Sequence, residues 1–201
     1  MVAIIDYGAG NLLSVQKALD YIGCPTQVTS DPAEILSADG AILPGVGSFG
    51  DAMAHLRGGP IEAVRSFVRS GKPFLGICLG LQILFDSSEE SPGVEGLSLM
   101  KGQVRRFPSD RGLKIPHIGW NSVEYDPDCP IFKGLPENPY VYFVHSYYLE
   151  ASDEDVVSAT AQYGIQFHAA VWRENVFATQ FHPEKSGSVG LKILGNFVGL
   201  V

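Results

Sequence analysis

The stretch Pro73-Phe-Leu-Gly-Ile-Cys-Leu-Gly-Leu-Gln-Ile-Leu-Phe85 decides the fold. Pro73–Ile77 is a short apolar run of the kind buried inside a sheet, and Leu79–Phe85 looks like the helix it feeds. The apolar run from Phe74 to Phe85 is interrupted by Gln82 and falls well short of the ~20 residues that cross a bilayer. It therefore reads as a buried strand turning into a helix.

Outward from this segment the same pattern recurs. Val2–Asp6 is apolar, Tyr7-Gly-Ala-Gly10 turns, and Asn11 suits the N-cap of a helix that carries Leu12, Val15, Ala18, Leu19 and Ile22 until Gly23 ends it. Pro25–Ser30 and Ala41–Leu43 read as strands, the second running into Pro44-Gly-Val-Gly47, and Ile61–Ser70 reads as a helix closed by Gly71. Strands alternating with helices predict a parallel sheet covered on both faces, with ligands at the carboxyl ends of its strands. After Gly102 the character changes. Val104–Phe107, Trp120–Tyr125, Tyr140–Tyr148, Val156–Tyr163, Gln166–Trp172 and Val176–Phe181 are rich in Val, Tyr and Phe and separated by Gly/Pro/Asn turns. They predict mostly antiparallel strands, the last two joined as a hairpin through Arg173-Glu-Asn175. A helix over about Val189–Val198 closes the chain. The expected fold is α/β, a single domain over residues 1–201 with a largely parallel central sheet flanked by helices and a β-rich antiparallel second half.

Composition narrows the function classes. The 201 residues are 45% hydrophobic and 18% charged, which supports a globular core and excludes a disordered or collagen-like chain. The net charge of −8 repels phosphate backbones, and no Lys/Arg stripe offsets it, so nucleic acid is not an expected partner. Cys24, Cys78 and Cys129 are odd in number and lack C-x-x-C spacing, so neither a disulfide framework nor a zinc knuckle is signalled. The beginning Met1-Val-Ala-Ile-Ile-Asp6 reads as a strand and not as a signal peptide, which makes the cytoplasm the default location.

Three strings carry chemistry. Gly76-Ile-Cys-Leu-Gly80 sits where the buried strand becomes a helix, so its glycines permit a tight elbow that lifts Cys78 above the strand ends. There the helix N-terminus favours thiolate over thiol, although an isolated cysteine is more often a buried structural residue. His182-Pro-Glu184 follows an apolar strand. A cysteine nucleophile needs an imidazole to take and return a proton, and that imidazole needs a partner to fix its tautomer. Residues two apart in an extended segment project to one side, so Glu184 can orient His182; such a string alone is more often a surface turn, and the elbow reverses that reading. Pro44-Gly-Val-Gly47 leaves a neighbouring strand, so an N–H from Val46 with that of Leu79 would form an oxyanion hole. Spacing alone does not distinguish that from an ordinary strand-to-helix turn.

Together these residues resemble a known family. Gly76-Ile-Cys-Leu-Gly-Leu-Gln82 and Gln180-Phe-His-Pro-Glu184 resemble the class I (triad) glutamine amidotransferases. Ile5-Asp-Tyr-Gly-Ala-Gly-Asn-Leu12, Pro44-Gly-Val-Gly-Ser-Phe-Gly50, Pro116-His-Ile-Gly-Trp-Asn121, Phe143-Val-His-Ser-Tyr-Tyr148 and His182-Pro-Glu-Lys-Ser186 resemble, more narrowly, the glutaminase subunits of imidazole glycerol phosphate synthases. Leu81 stands where that family usually has Met, a volume-conserving change, and Gly187 where a Gln commonly follows.

The resemblance implies a flavodoxin-like sheet and the hydrolysis of L-glutamine to glutamate and ammonia through a thioester. It implies Cys78 as nucleophile, His182 as base and then acid, and Glu184 as the orienting carboxylate, with Val46 and Leu79 supplying the oxyanion hole. Gly47, Gln82, Glu90, Ser146 and Tyr147 match glutamine-binding positions; for Glu90 a solvated acidic loop is the plain alternative. Trp120, Tyr142 and Lys185 match the face that meets a (β/α)8-barrel cyclase, the heterodimer partner that makes imidazole glycerol phosphate and aminoimidazole carboxamide ribotide in histidine biosynthesis. Without the resemblance, Trp120 and Tyr142 would read as core aromatics. No cofactor or membrane is expected, and no metal either: His145 reads as satisfying a structural hydrogen bond, and His55, His117 and His168 form no ligand spacing with the cysteines. The close rival is the same chemistry feeding another synthase, and the distant one a non-catalytic or redox-sensing module that keeps the elbow.

Overall fold

A computed structural model of the chain describes every residue except Gly58, Asp110 and Arg111. The first half comprises β1 (Val2–Ile5), α1 (Leu12–Tyr21), β2 (Thr26–Thr29), α2 (Pro32–Ser37), β3 (Gly40–Gly45), α3 (Phe49–Arg57), α4 (Ile61–Arg69), β4 (Phe74–Cys78) and α5 (Leu79–Gln82). The second half adds β5 (Ser87–Ser88), β6 (Gly102–Arg106), β7 (His117–Tyr125), β8 (Tyr140–His145) and β9 (Tyr147–Ala151), then β10 (Val157–Tyr163), β11 (Ile165–Arg173), β12 (Val176–Thr179) and α6 (Gly187–Val198).

The strands pair in the order β2-β1-β3-β4-β12-β11-β10-β7-β8. From β2 to β12 the neighbours are parallel; from β12 to β8 they are antiparallel. β12 thus joins the two halves, with a parallel neighbour on one side and an antiparallel one on the other. The expected hairpin is present, because Arg173 pairs with Val176 across the turn at Glu174-Asn175.

Alternation along the strands builds two apolar layers. Ala3, Ile5, Ala41, Leu43 and Phe74 face one side, where α3 and α4 bring Phe49, Met53, Leu56, Val64 and Phe67. Val2, Ile4, Ile42, Leu75 and Ile77 face the other, against Val15 and Leu19 of α1 and Ile193, Leu194 and Phe197 of α6. Burying such side chains stabilises by roughly 1.5–3 kcal/mol each, so the period-2 pattern fixes the register of every inner strand.

Three departures from the expected elements have physical causes. The helix expected over Leu79–Phe85 stops at Gln82, because the N–H groups of Leu84 and Phe85 donate to the Leu81 and Gln82 carbonyls at 3.2 Å in tight turns, and the carbonyls of Ile83, Leu84 and Phe85 then accept from Leu97, Leu99 and Ser98 at 2.8, 2.9 and 3.3 Å. The run Tyr140–Tyr148 breaks at Ser146 into β8, which pairs with β7, and β9, which pairs with β6. Helix α3 was not expected, yet Phe49, Ala52, Met53 and Leu56 lie at helical spacing and are all buried. No helix of the described residues is long and apolar enough to cross a membrane.

Candidate active site

The strand order places the chemistry. β4 lies between β3 and β12, so the chain leaving each of the three strands arrives at one sheet edge. Gly45 is the register partner of Cys78 on one side, and Thr179 pairs with Ile77 on the other, three residues before His182.

Cys78 ends β4 with φ 56° and ψ −108°, a left-handed backbone that a non-glycine residue adopts at a cost of about 1–3 kcal/mol. This is the elbow expected from Gly76-Ile-Cys-Leu-Gly80. A side chain at Gly80 would overlap the Leu43 carbonyl oxygen, so α5 packs backbone against backbone on β3. Because α5 is a single turn, its dipole is weaker than the longer helix expected here would supply.

His182 and Glu184 form the expected pair. Nδ1 of His182 lies 2.8 Å from Glu184 Oε1, with side-chain exposures of 2% and 1%. A carboxylate only accepts, so Nδ1 carries the proton and Nε2 faces outward. Among the described residues Nε2 is buried without a hydrogen-bond partner, and the Cys78 sulfur acts on it electrostatically. Burial opposes protonation, but Cys78 and Glu184 outweigh it and push the His182 pKa up to about 9. The segment is clipped to β8. His182 N–H donates to the Tyr142 carbonyl at 3.0 Å, and Ser186 Oγ donates to the His182 carbonyl at 2.7 Å while accepting from Tyr142 N–H at 3.0 Å.

A cavity of about 300 Å³ opens in front of these groups. Its walls include Val46, Gly47, Cys78, Leu79, Gln82, Glu90, Ser146, Tyr147 and His182, so the sequence-assigned residues other than Glu184 and the outer-face set line one space. Glu184 stands behind His182. Glu90 is no freely solvated residue: its Oε2 accepts from Phe49 N–H at 2.8 Å, at the start of α3, whereas exposed Glu89 pairs with Arg105. Both amide hydrogens of Gln82 go to protein acceptors, the Tyr147 carbonyl at 3.2 Å and Gln180 Oε1 at 3.0 Å, so only its oxygen can meet a ligand's donor.

The two glycines flanking Val46 differ in purpose. Gly47 has φ 103° and open space where a side chain would go, so its conformation is what demands glycine. Gly45 is held by crowding, since a Cβ there would lie 2.8 Å from Leu79 Cβ and against the Tyr7 hydroxyl. That hydroxyl is buried without a hydrogen-bond partner among the described residues, and burial, then the Cys78 charge, raises its pKa.

Pro116, Val144 and His145 also line the cavity, although none of them stood among the sequence-assigned site residues. Donor and acceptor roles around His145 follow from one fixed end. The Tyr147 carbonyl only accepts, so His145 Nδ1, 2.8 Å away, carries hydrogen; its Nε2 then accepts from His117 Nδ1 at 3.0 Å, and His117 Nε2 accepts from the Asn121 amide at 3.5 Å. Burial lowers the pKa of His117 to about 4. For His145 burial again dominates, partly opposed by the Tyr147 carbonyl, and lowers it to about 3. On the outer face Trp120 is 55% exposed, edge-on to Tyr142 at 6.2 Å, with Lys185 Nζ 6.0 Å from the Tyr142 ring, so Trp120 is not a core aromatic.

Comparison with known proteins agrees with this geometry. The model of the family described as glutamine amidotransferase class-I matches residues 3–199. Curated relatives include "Imidazole glycerol phosphate synthase subunit HisH" of Moorella thermoacetica, 53% identical over all of this chain and 95% of that one. The protein of the same name from Syntrophotalea carbinolica is 55% identical over 98% of each chain. Among solved structures, "Structure of PurLQS from Thermotoga maritima" superposes with a TM-score of 0.78 at 20% identity, covering 98% of this chain and 97% of that one, a likeness of fold alone. The chain belongs to the class-I glutamine amidotransferases, in the branch of imidazole glycerol phosphate synthase HisH subunits.

Proposed function

We propose that the chain hydrolyses L-glutamine at Cys78 and passes the ammonia to a (β/α)8-barrel cyclase, as the glutaminase subunit of imidazole glycerol phosphate synthase in histidine biosynthesis. The observation that carries the reading is the buried His182–Glu184 pair facing the same cavity as the cysteine elbow.

His182 Nε2 first takes the Cys78 thiol proton and holds it, the form its raised pKa favours; the sulfur then attacks the carboxamide carbon, whose oxygen becomes an oxyanion held by the N–H groups of Leu79 and Val46. His182 then gives that proton to the departing nitrogen, so ammonia leaves and a γ-glutamyl thioester remains. Water, deprotonated by the same imidazole, attacks the thioester and releases glutamate, and the thiol recovers its proton. Glu184 fixes the imidazole throughout, since Nδ1–H can point only at its carboxylate. Glu90 and the Gln82 oxygen suit the ammonium of the amino acid, and Ser146 with neighbouring amides suits its carboxylate.

The relatives' names support the partner, as does the exposed Trp120, with half-buried Tyr142 and Lys185 beside it on the face behind His182. Glutamate release assayed with and without the barrel subunit tests the whole assignment. Hydrolysis that depends on Cys78 and is stimulated by that subunit supports it, and a chain inert toward glutamine in both conditions overturns it.

A further inference from the structure

Gln180 is fully buried and has no part in the mechanism above, yet both ends of its side chain face the reaction centre. Its Nε2 lies 3.6 Å from Cys78 Sγ, and its Oε1 lies 3.0 Å from Gln82 Nε2. The surroundings leave no choice of which end of this amide is nitrogen and which oxygen. The Tyr147 carbonyl can only accept, which commits the Gln82 nitrogen to that side. The same nitrogen then meets Gln180 and requires an oxygen there. The Gln180 nitrogen is left, with its hydrogens, against the sulfur.

The Tyr147 carbonyl is itself held from behind by His145 Nδ1, so it is a fixed end and not a rotor. Every bond between that carbonyl and the nucleophile therefore has a fixed direction: the Gln82 nitrogen donates to the carbonyl and to Gln180 Oε1, and the Gln180 nitrogen donates to the sulfur. With α5 reduced to one turn, this side chain supplies what the expected helix does not: a dry, directed N–H for sulfur carrying negative charge.

We propose that Gln180 is a catalytic residue of the glutaminase: its amide donates to the Cys78 sulfur, holding it in the attacking rotamer and stabilising its charged form, with Gln82 locking the amide's direction. This rests on the reading of Cys78 as nucleophile. It also gives Gln82 a second task, since the residue whose oxygen meets glutamine also locks the donor to the sulfur.

The test is the rate of iodoacetamide modification of Cys78 in the full chain from pH 6 to 10, with the modified cysteine located by mass spectrometry. Gln180→Glu keeps the shape but puts acceptors against the sulfur, and Gln180→Met keeps the bulk without a donor. Both are expected to slow modification at pH 7 between roughly 10-fold and 100-fold and to move the half-maximal pH upward by about one unit or more. Turnover should fall in parallel while the glutamine KM changes less than about threefold. If either variant fails to fold, Gln82→Met leaves Gln180 in place but unlocks its amide, and a smaller upward move of the half-maximal pH is expected. Folded variants whose modification profile and turnover match the parent overturn the proposal. Modification of the parent at Cys24 or Cys129 in place of Cys78 overturns the nucleophile reading instead.

Discussion

The backbone N–H of His182 donates to the carbonyl of Tyr142 at 3.0 Å, so the proposed general base and an aromatic of the outer face share one strand edge. Ser186 closes the same link a second time through Tyr142 N–H and the His182 carbonyl. Whatever presses on the outer face at Tyr142 therefore reaches the base through three hydrogen bonds and no flexible loop.

Loss of the nucleophile should be complete and confined. Cys78→Ala is expected to lower glutamine hydrolysis by at least ~1,000-fold, while ammonia added directly still supports the partner's cyclisation. Cys24→Ala and Cys129→Ala, both buried away from the cavity, should keep hydrolysis within about threefold of the parent. Assays of glutamate release and of cyclised product separate the two halves, and strong loss from Cys129→Ala alone would contradict the assignment.

The two carboxylates should give opposite kinetic signatures. Glu184→Gln removes tautomer control, which acts in the transition state, so kcat should drop by roughly 100- to 10,000-fold with little change in KM. Glu90→Gln should instead raise KM for glutamine. Exchange of the two phenotypes would show that the roles are reversed.

Stability should peak near pH 6.5. His117 and His145 are held neutral in the folded chain down to about pH 4 and 3, while the unfolded chain protonates both below about 6.5. The unfolded state therefore binds more protons on the acid side, and stability falls as pH drops from 6.5 toward 4, by about 1.4 kcal/mol per unit for each histidine at full effect. His182 works in the other direction. Its raised folded pKa gives stabilisation that is complete below about pH 6.5 and is lost as pH rises to about 9. Urea midpoints measured at pH 5, 6.5 and 8.5 check both limbs, and a flat acid limb in the parent would count against the neutral histidine pair.

Much of this was legible in the residues, and the rest was not for identifiable reasons. The elbow at Cys78 and the His182–Glu184 pair follow from local spacing, because an elbow and an i, i+2 projection are properties of a few consecutive residues. The Gln180 donor, by contrast, depends on a carbonyl at Tyr147 that no local pattern brings near it. The early end of α5 follows from no local pattern either, since the carbonyls of residues 83–85 just beyond it accept from residues 97–99. Helix α3 is a different case, because the spacing of Phe49, Ala52, Met53 and Leu56 is local and plain in the sequence.

The loop after β3 should govern the response to a partner. Stiffening with Gly47→Pro cannot test this, because proline fixes φ near −65° and Gly47 sits at 103°. Gly47→Ala meets open space but resists the left-handed conformation by about 1–2 kcal/mol. It is expected to reduce partner-stimulated turnover at least fivefold while leaving iodoacetamide modification of Cys78 within about twofold. The isolated chain should hydrolyse glutamine slowly, with the partner and its ribonucleotide raising kcat more than they lower KM. Full activity in the purified chain alone would remove this mechanism and leave the triad intact.

The outer face should carry association without carrying chemistry. Trp120→Ala is expected to weaken binding of the barrel subunit by about 30-fold or more, as exposed tryptophans at interface centres do, with unassisted hydrolysis unchanged. Calorimetric titration of the two subunits reads this directly, and unaltered affinity would place the contact elsewhere.

The bare backbone at Gly80 has a consequence beyond room for a turn. With no side chain between them, the start of α5 packs closely on the Leu43 carbonyl, and Gly45 pairs with Cys78 in register, so nucleophile, following amide and the end of β3 make one tightly packed block. The freedom that remains begins only past Gly45, where Gly47 stands in open space. A lineage could therefore rewrite what it listens to by changing a few loop positions, and the part that breaks the carboxamide would inherit none of those edits.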